Sequence, residues 1–253
     1  MKYSLMVLTV IVVGFTACKK DNSRVNETPE DYNNKIALAK SGIALPTPEN
    51  PLNTFDSVGY WHNRIVAYVQ DCKPVTDTPD VAASTACVLR FYREVRSLEM
   101  PASLFEAVSR TVDKSNTDIV RLIADCPYDE PVKAVLDSLV QLVKQLSDSN
   151  SPYPVIKATI VDFENSVMQN DRLTPEDREI ALKATSVARF SIYYWISTLQ
   201  PPVPPAAAFK FKNIVKWIAA VTSDIGGIIV SGNVGYAADC SSYAYDLVVY
   251  SMP

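Results

Sequence analysis

The sequence predicts an all-α fold: a single helical bundle of roughly seven to nine helices, preceded by a leader and a polar tether. Three observations predict it. Apolar residues recur at helical spacing in one segment after another. No stretch keeps up a period-two alternation, and neither Asn-Gly nor Asp-Gly marks a hairpin turn. The connections are short and often carry proline, which suits antiparallel helical neighbours. The composition is that of an ordinary globular protein, enough for one good core or two small ones, since 48% of the 253 residues are hydrophobic and 21% charged. A net charge of -4, with no basic run beyond Lys19-Lys20, argues against a nucleic-acid partner.

Residues 1–17 read as a signal peptide. Lys2 supplies a positive start, and residues 5–13 form an apolar run too short for an ordinary spanning helix. The run ends in Phe15-Thr16-Ala17-Cys18. A small residue before a cysteine at this place resembles the lipobox of bacterial lipoproteins, which implies cleavage before Cys18 and lipid on its thiol. Two or more acyl chains would hold the protein at a membrane. Cys18-Lys19-Lys20-Asp21 is similar to the start of many Bacteroidota lipoproteins, which implies the outer membrane, on its periplasmic face or at the cell surface. Residues 18–53 are polar, with Pro29, Pro46, Pro48 and Pro51, and read as a flexible tether holding at most one short helix over 31–45.

The helical domain is expected over residues 54–253. Asp56 stands as an N-cap, followed by Val58, Trp61, Ile65 and Val69, with an end near Cys72. Asp80 opens a second helix, through Val81, Val88, Phe91 and Val95, that stops before Pro101. Residues 103–112 and 117–126 read as two shorter helices. Pro131 opens the next, with Val132, Leu136, Leu139, Val143 and Leu146 on one face. Another follows with Ile156, Ile160, Phe163 and Val167.

Residues 173–199 give the clearest helix. Thr174 is its cap, Pro175 fits its first turn, and Glu176 and Asp177 sit where the helix dipole favours negative charge. The helix is polar early and apolar all round from Val187 on, which predicts that it runs into the middle of the bundle. Pro201 and Pro202 stop it.

Residues 209–250 then read as a helical hairpin turning at Ser231-Gly232-Asn233. Ala219, Ser223, Gly227, Ser231 and Gly235 recur every four residues, a stripe of small side chains that lets backbones approach closely. It is expected to pack on the preceding helix around Tyr194 and Trp195. Lys216 and Asp224 oppose a membrane span here, which leaves a membrane-active, bacteriocin-like role as an alternative reading.

Four further cysteines allow three pairings. Cys72 with Cys87 is the pair an antiparallel turn brings close; Cys126 with Cys240 is its complement, and buried free thiols are the alternative. There is no CxxC and no cluster of Cys with His, so neither a metal nor any other cofactor is expected.

The residues that could carry chemistry are few. His62 is the only histidine, and thus the one candidate base near neutral pH. Asp56 and Asn63 flank it on a different helical face. No GxSxG, HExxH or phosphate-binding glycine loop accompanies it. Asp162, Glu164, Glu176, Asp177 and Glu179 offer carboxylates for glycoside hydrolysis, with nothing in the sequence to set their separation. Arg189 lies in the most apolar part of the chain; buried, it needs a carboxylate, with Asp224 and Glu164 as candidates. Asp56, His62, Asn63, Arg189 and Asp224 together form the candidate cluster. The aromatic groups at 193–195 and at Tyr236, Tyr243, Tyr245 and Tyr250 suit core packing better than sugar stacking.

Asp56-x-x-Gly59-x-x-His62-Asn63, the run ATSVARFSIYYW over 184–195, and Asp224-Ile225-Gly226-Gly227 occur in that order. Together they resemble a family of Bacteroidota lipoproteins and secreted proteins, over roughly residues 53–245. The resemblance implies a cell-envelope location and a shared helical domain, and carries no catalytic residue over. The expected function is that of a lipid-anchored envelope protein that binds a protein or glycan partner, with an enzyme using His62 as the alternative.

Overall fold

The structure, a computed structural model, describes residues 45–74, 76–149, 151–199 and 214–251. The signal peptide, Cys18, the helix expected over 31–45 and the Pro201–Pro205 connector lie outside the described residues. Within them all regular structure is helical. The chain forms α1 (Asp56–Cys72), α2 (Val81–Arg96), a 3-10 turn (Ala102–Phe105), α3 (Val108–Thr117) and α4 (Ile119–Asp125). It continues through α5 (Glu130–Asp148), α6 (Tyr153–Met168), α7 (Pro175–Leu199), α8 (Ile214–Ser231) and α9 (Val234–Ser251). The protein is an all-α bundle.

Helix α7 is its axis. Thr174 and Asp177 cap it reciprocally: the Asp177 N–H donates to Thr174 Oγ1 at 3.1 Å, and the Thr174 N–H to Asp177 Oδ2 at 3.3 Å. From Ile180 to Ser197 every side chain except half-buried Lys183 is buried. At about 1.5 Å per residue the helix is about 37 Å long, enough to cross a small domain. Helices α1, α5, α6 and α8 pack around it. The α8–α9 hairpin forms the second half of the centre, with α9 against α1 and α2, and α8 against α3.

Two glycines let these central backbones touch. A Cβ on Gly59 of α1 would stand 2.4 Å from Phe190 Cδ2 and 2.6 Å from the Ser186 carbonyl of α7. A Cβ on Gly227 would stand 2.6 Å from the Ala237 Cα of α9. The small-residue stripe therefore faces elsewhere than expected. Gly227 meets α9, and Ser223 accepts a hydrogen bond from Asn116 of α3 at 3.0 Å. Trp195 is met instead by Tyr245, stacked at 4.4 Å, and donates to Ser241 Oγ at 3.2 Å. An α8 lying between α9 and α3 turns Gly227 and Ser223 to those contacts and buries Ile225, Ile228 and Ile229 in the core.

Three further expectations are corrected. Residues 103–112 do not make one helix; the chain turns at Ala102–Phe105 and starts α3 only at Val108. Asp56 is not an N-cap: it is the first residue of α1, Phe55 holds the cap position without a side-chain bond, and the Asp56 carboxylate faces α7. The domain begins before residue 54, because Asn50 and Asn53 are buried and bonded into the core.

Cys72 and Cys87 are joined as a disulfide across α1 and α2, with their Cα atoms 5.9 Å apart. The Cys126–Cys240 pairing is corrected: both are buried free thiols. Cys240 lies in α9 between buried neighbours, where burial pushes its thiol well up.

Candidate functional site

The candidate cluster falls on both sides of α7. Arg189 and Ser191 are two residues apart, about 200° around a helix, so they point to opposite faces. One face looks towards α6 and the start of α1, the other towards α8.

On the first face Arg189 is fully buried and donates from Nη2 to Asp56 Oδ1 and, at 3.1 Å, to Glu164 Oε1. Glu164 is fully buried as well. Its other hydrogen bonds come from the segment ahead of α1: Asn50 Nδ2 donates to Oε2 at 2.7 Å and Asn53 Nδ2 to Oε1 at 2.8 Å. Asn53 Nδ2 also donates to the Leu182 carbonyl at 3.0 Å, which ties that segment to α7. Burial works against charge on Arg189, but Glu164 and Asp56 outweigh it and hold its pKa above the ordinary value. Asp56 is moved up by burial, against the pull of Arg189. Glu164 was a candidate partner of Arg189 from sequence; Asp224 was the other, and it lies across the helix.

On the second face Asp224 meets His62 and Ser191. His62 Nε2 stands 2.9 Å from Asp224 Oδ1, and Ser191 Oγ donates to Asp224 Oδ2. His62 Nδ1 stands 3.1 Å from Asn63 Oδ1. The Asn63 amide nitrogen donates to the Phe190 carbonyl at 2.8 Å, which sets the orientation of the amide. Both ring nitrogens thus stand within hydrogen-bond distance of side-chain oxygens inside the core. His62, Asn63, Asp224 and Ser191 are all fully buried.

This is not the order of a nucleophilic triad, in which histidine stands between serine and aspartate. Here aspartate stands between serine and histidine. A ring with both nitrogens engaged in the core has no free nitrogen to offer a substrate. The arrangement can fix the rotation and register of α1, α7 and α8. Paired, satisfied polar groups in a core serve that end well.

A third fully buried acid among the described residues was missed from sequence. Asp239 of α9 accepts from Ser84 Oγ at 2.5 Å and from Thr85 Oγ1 at 2.6 Å, joining α9 to α2. Burial raises its pKa to about 6, against the pull of those hydroxyls and of Lys73. Lys73 itself pairs with Asp246 of α9 at 2.5 Å. The available signal was an aspartate inside a run of small and apolar residues, the same signal that marked Arg189. Beside Thr85 a shallow groove of about 320 Å³ runs between α2 and the 3-10 turn, walled by Val81, Ala86, Leu89 and Phe105. None of its lining residues belongs to the Arg189 or the His62 cluster.

Among the described residues no group of three or more His, Cys, Asp or Glu side chains is arranged to hold a metal ion. The acids once considered for glycoside hydrolysis do not converge: Glu164 is tied to Arg189 inside the bundle, Asp177 caps α7, and Asp162, on another face of α6 from Glu164, is exposed. No protein-family model matches the chain, and no curated protein or solved structure is similar to it.

Proposed function

We propose that the chain is a lipid-anchored protein of the cell envelope whose helical bundle serves as a binding module. The observation that carries this reading is Phe15-Thr16-Ala17-Cys18 at the end of a short apolar run behind a positive start. Acylation of Cys18 would supply the anchor, and the polar residues that follow would carry the bundle away from the bilayer. The resemblance to Bacteroidota envelope proteins supports an outer-membrane location.

A binding role is favoured over catalysis by the state of His62. The one histidine, the base the sequence offered for catalysis near neutral pH, is held between Asp224 and Asn63 in the core. The membrane-active reading loses its support in the same way. The small residues of α8 are covered by α9 and α3, and no helix among the described residues is long and apolar enough to cross a membrane.

The test is Cys18→Ala in the full chain. The wild type is expected in the membrane fraction with a mass showing acylation. The variant is expected either released or retained as an unprocessed precursor. A variant that fractionates and migrates like the wild type overturns the anchor.

A further inference from the structure

Helices α1 and α2 carry a basic face on an acidic protein. The chain has a net charge of -4, yet four of its ten arginines, Arg64, Arg90, Arg93 and Arg96, stand on this one helix pair. Arg90, Arg93 and Arg96 are exposed, and each is three residues from the next, so they rise along α2 in steps of about 4.5 Å.

Aromatic rings hold this face in shape. The Arg96 guanidinium lies 4.1 Å from the centre of the half-buried Trp61 ring. Arg64 lies 5.7 Å from the same ring and donates to the Tyr60 hydroxyl at 3.1 Å. Trp61 is in turn set edge-on against the buried Phe91. The acid within the row, Glu94, accepts from the Tyr68 hydroxyl at 2.8 Å. Guanidinium groups resting on rings lose little freedom when they bind, and their planar donor sets match carboxylates and sulfates in two-point contact.

We propose that this face docks an acidic polysaccharide, a chain whose uronate or sulfate groups meet the arginine row that Tyr60 and Trp61 hold in place. The proposal gives the binding module a surface and a partner class; it rests on that half of the functional reading and not on the anchor. Charge complementarity is its main support. A lipid bilayer fits less well, because among the exposed large apolar side chains of the described residues only Leu98 adjoins the row.

The experiment uses the full chain in detergent solution, with capture on immobilised polygalacturonate and on dextran sulfate, and neutral dextran as the blank. Capture is expected on both acidic polymers and to weaken as salt rises. Arg93→Glu/Arg96→Glu is expected to lower affinity by about tenfold or more, as removal of several charge contacts to a polyanion does. Arg172→Glu/Lys114→Glu, which changes net charge equally at exposed positions elsewhere, is expected to lower it far less. Trp61→Ala is expected to weaken capture while all four arginines remain.

No capture on either polymer overturns the proposal, and so does an equal loss in the two double variants. Equal capture on polyglutamate, or capture by phosphatidylglycerol vesicles without capture on the polysaccharides, overturns the assignment to a glycan. Membrane fractionation of the same variants reads the anchor separately. Failure of Cys18→Ala to release the chain leaves polysaccharide capture unaffected.

Discussion

A guanidinium taken wholly out of water must be answered by acceptors, and Arg189 is answered by two acids on different elements. Glu164 comes from α6 and Asp56 from the start of α1, so the ion cluster joins three helices around one charge. Arg189 Nε and Nη1 are buried without a hydrogen-bond partner among the described residues, so the native cluster is itself imperfectly satisfied. Its net worth is therefore small compared with the cost of breaking it. Arg189→Met is expected to destabilise the bundle by about 3–5 kcal/mol, because it removes the cation that the buried Glu164 and Asp56 share. Glu164→Gln added to Arg189→Met removes a carboxylate that has lost its cation and is expected to restore part of the loss. Urea unfolding of the two variants measures this. An unchanged midpoint in Arg189→Met, or no recovery in the double variant, contradicts the ion-cluster account.

At the scale of elements, the contact between α1 and α7 depends on the missing side chain of Gly59. Its N–H donates to Ser186 Oγ at 3.1 Å, and Ser186 Oγ donates in turn to the Asp56 carbonyl at 3.1 Å, so the two backbones are pinned as well as close. Gly59→Ala places a methyl against both the Phe190 ring and a backbone carbonyl. Phe190 can rotate, but the carbonyl cannot leave without moving the helix. Higher helix propensity would add roughly 1 kcal/mol of stability in an open position. Overpacking of a tight core contact typically costs about 1–3 kcal/mol. The expected outcome is net destabilisation, read as a lower thermal midpoint; a raised midpoint would show that α1 and α7 have room to separate. Features of this local kind were legible in the sequence. The Thr174 cap, the proline in the first turn of α5 and the disulfide across one turn all depend on neighbours in the chain. The break between the 3-10 turn and α3 was not legible, since residues 103–112 read smoothly as helix and the turn is set by where Phe105 can be buried against Tyr236 of α9. The partners of Arg189 were half legible. The sequence marks it as buried and in need of an acid, but which of Glu164 and Asp224 it meets depends on the rotation of α7 in the bundle.

For the molecule as a whole, the buried acids set how stability follows pH. Most proteins gain from ionised carboxylates held by native partners. Here the resolved carboxylate shifts, at Asp56 and Asp239, are both upward, because burial outweighs their partners. An acid whose pKa is raised by folding keeps its proton longer in the native state than in the unfolded one. As pH rises from below its unfolded value of 3.8, the unfolded chain ionises first and native stability falls; above the folded value of about 6 the loss is complete. For Asp239 that difference corresponds to about 3 kcal/mol, good to its order of magnitude, at about 1.4 kcal/mol per pH unit. Asp56 adds to it in the same direction, reduced by its partial contact with solvent. The bundle is therefore expected to melt at a higher temperature near pH 5 than near pH 7. Asp239→Asn keeps the size of the side chain and its reach to Ser84 and Thr85 while removing the titration. It is expected to flatten most of the slope between pH 4 and 6 and to raise the midpoint at pH 7. Thermal melts across that range compare the two proteins, and a variant that keeps the wild-type slope would move the pH dependence away from the α2–α9 contact.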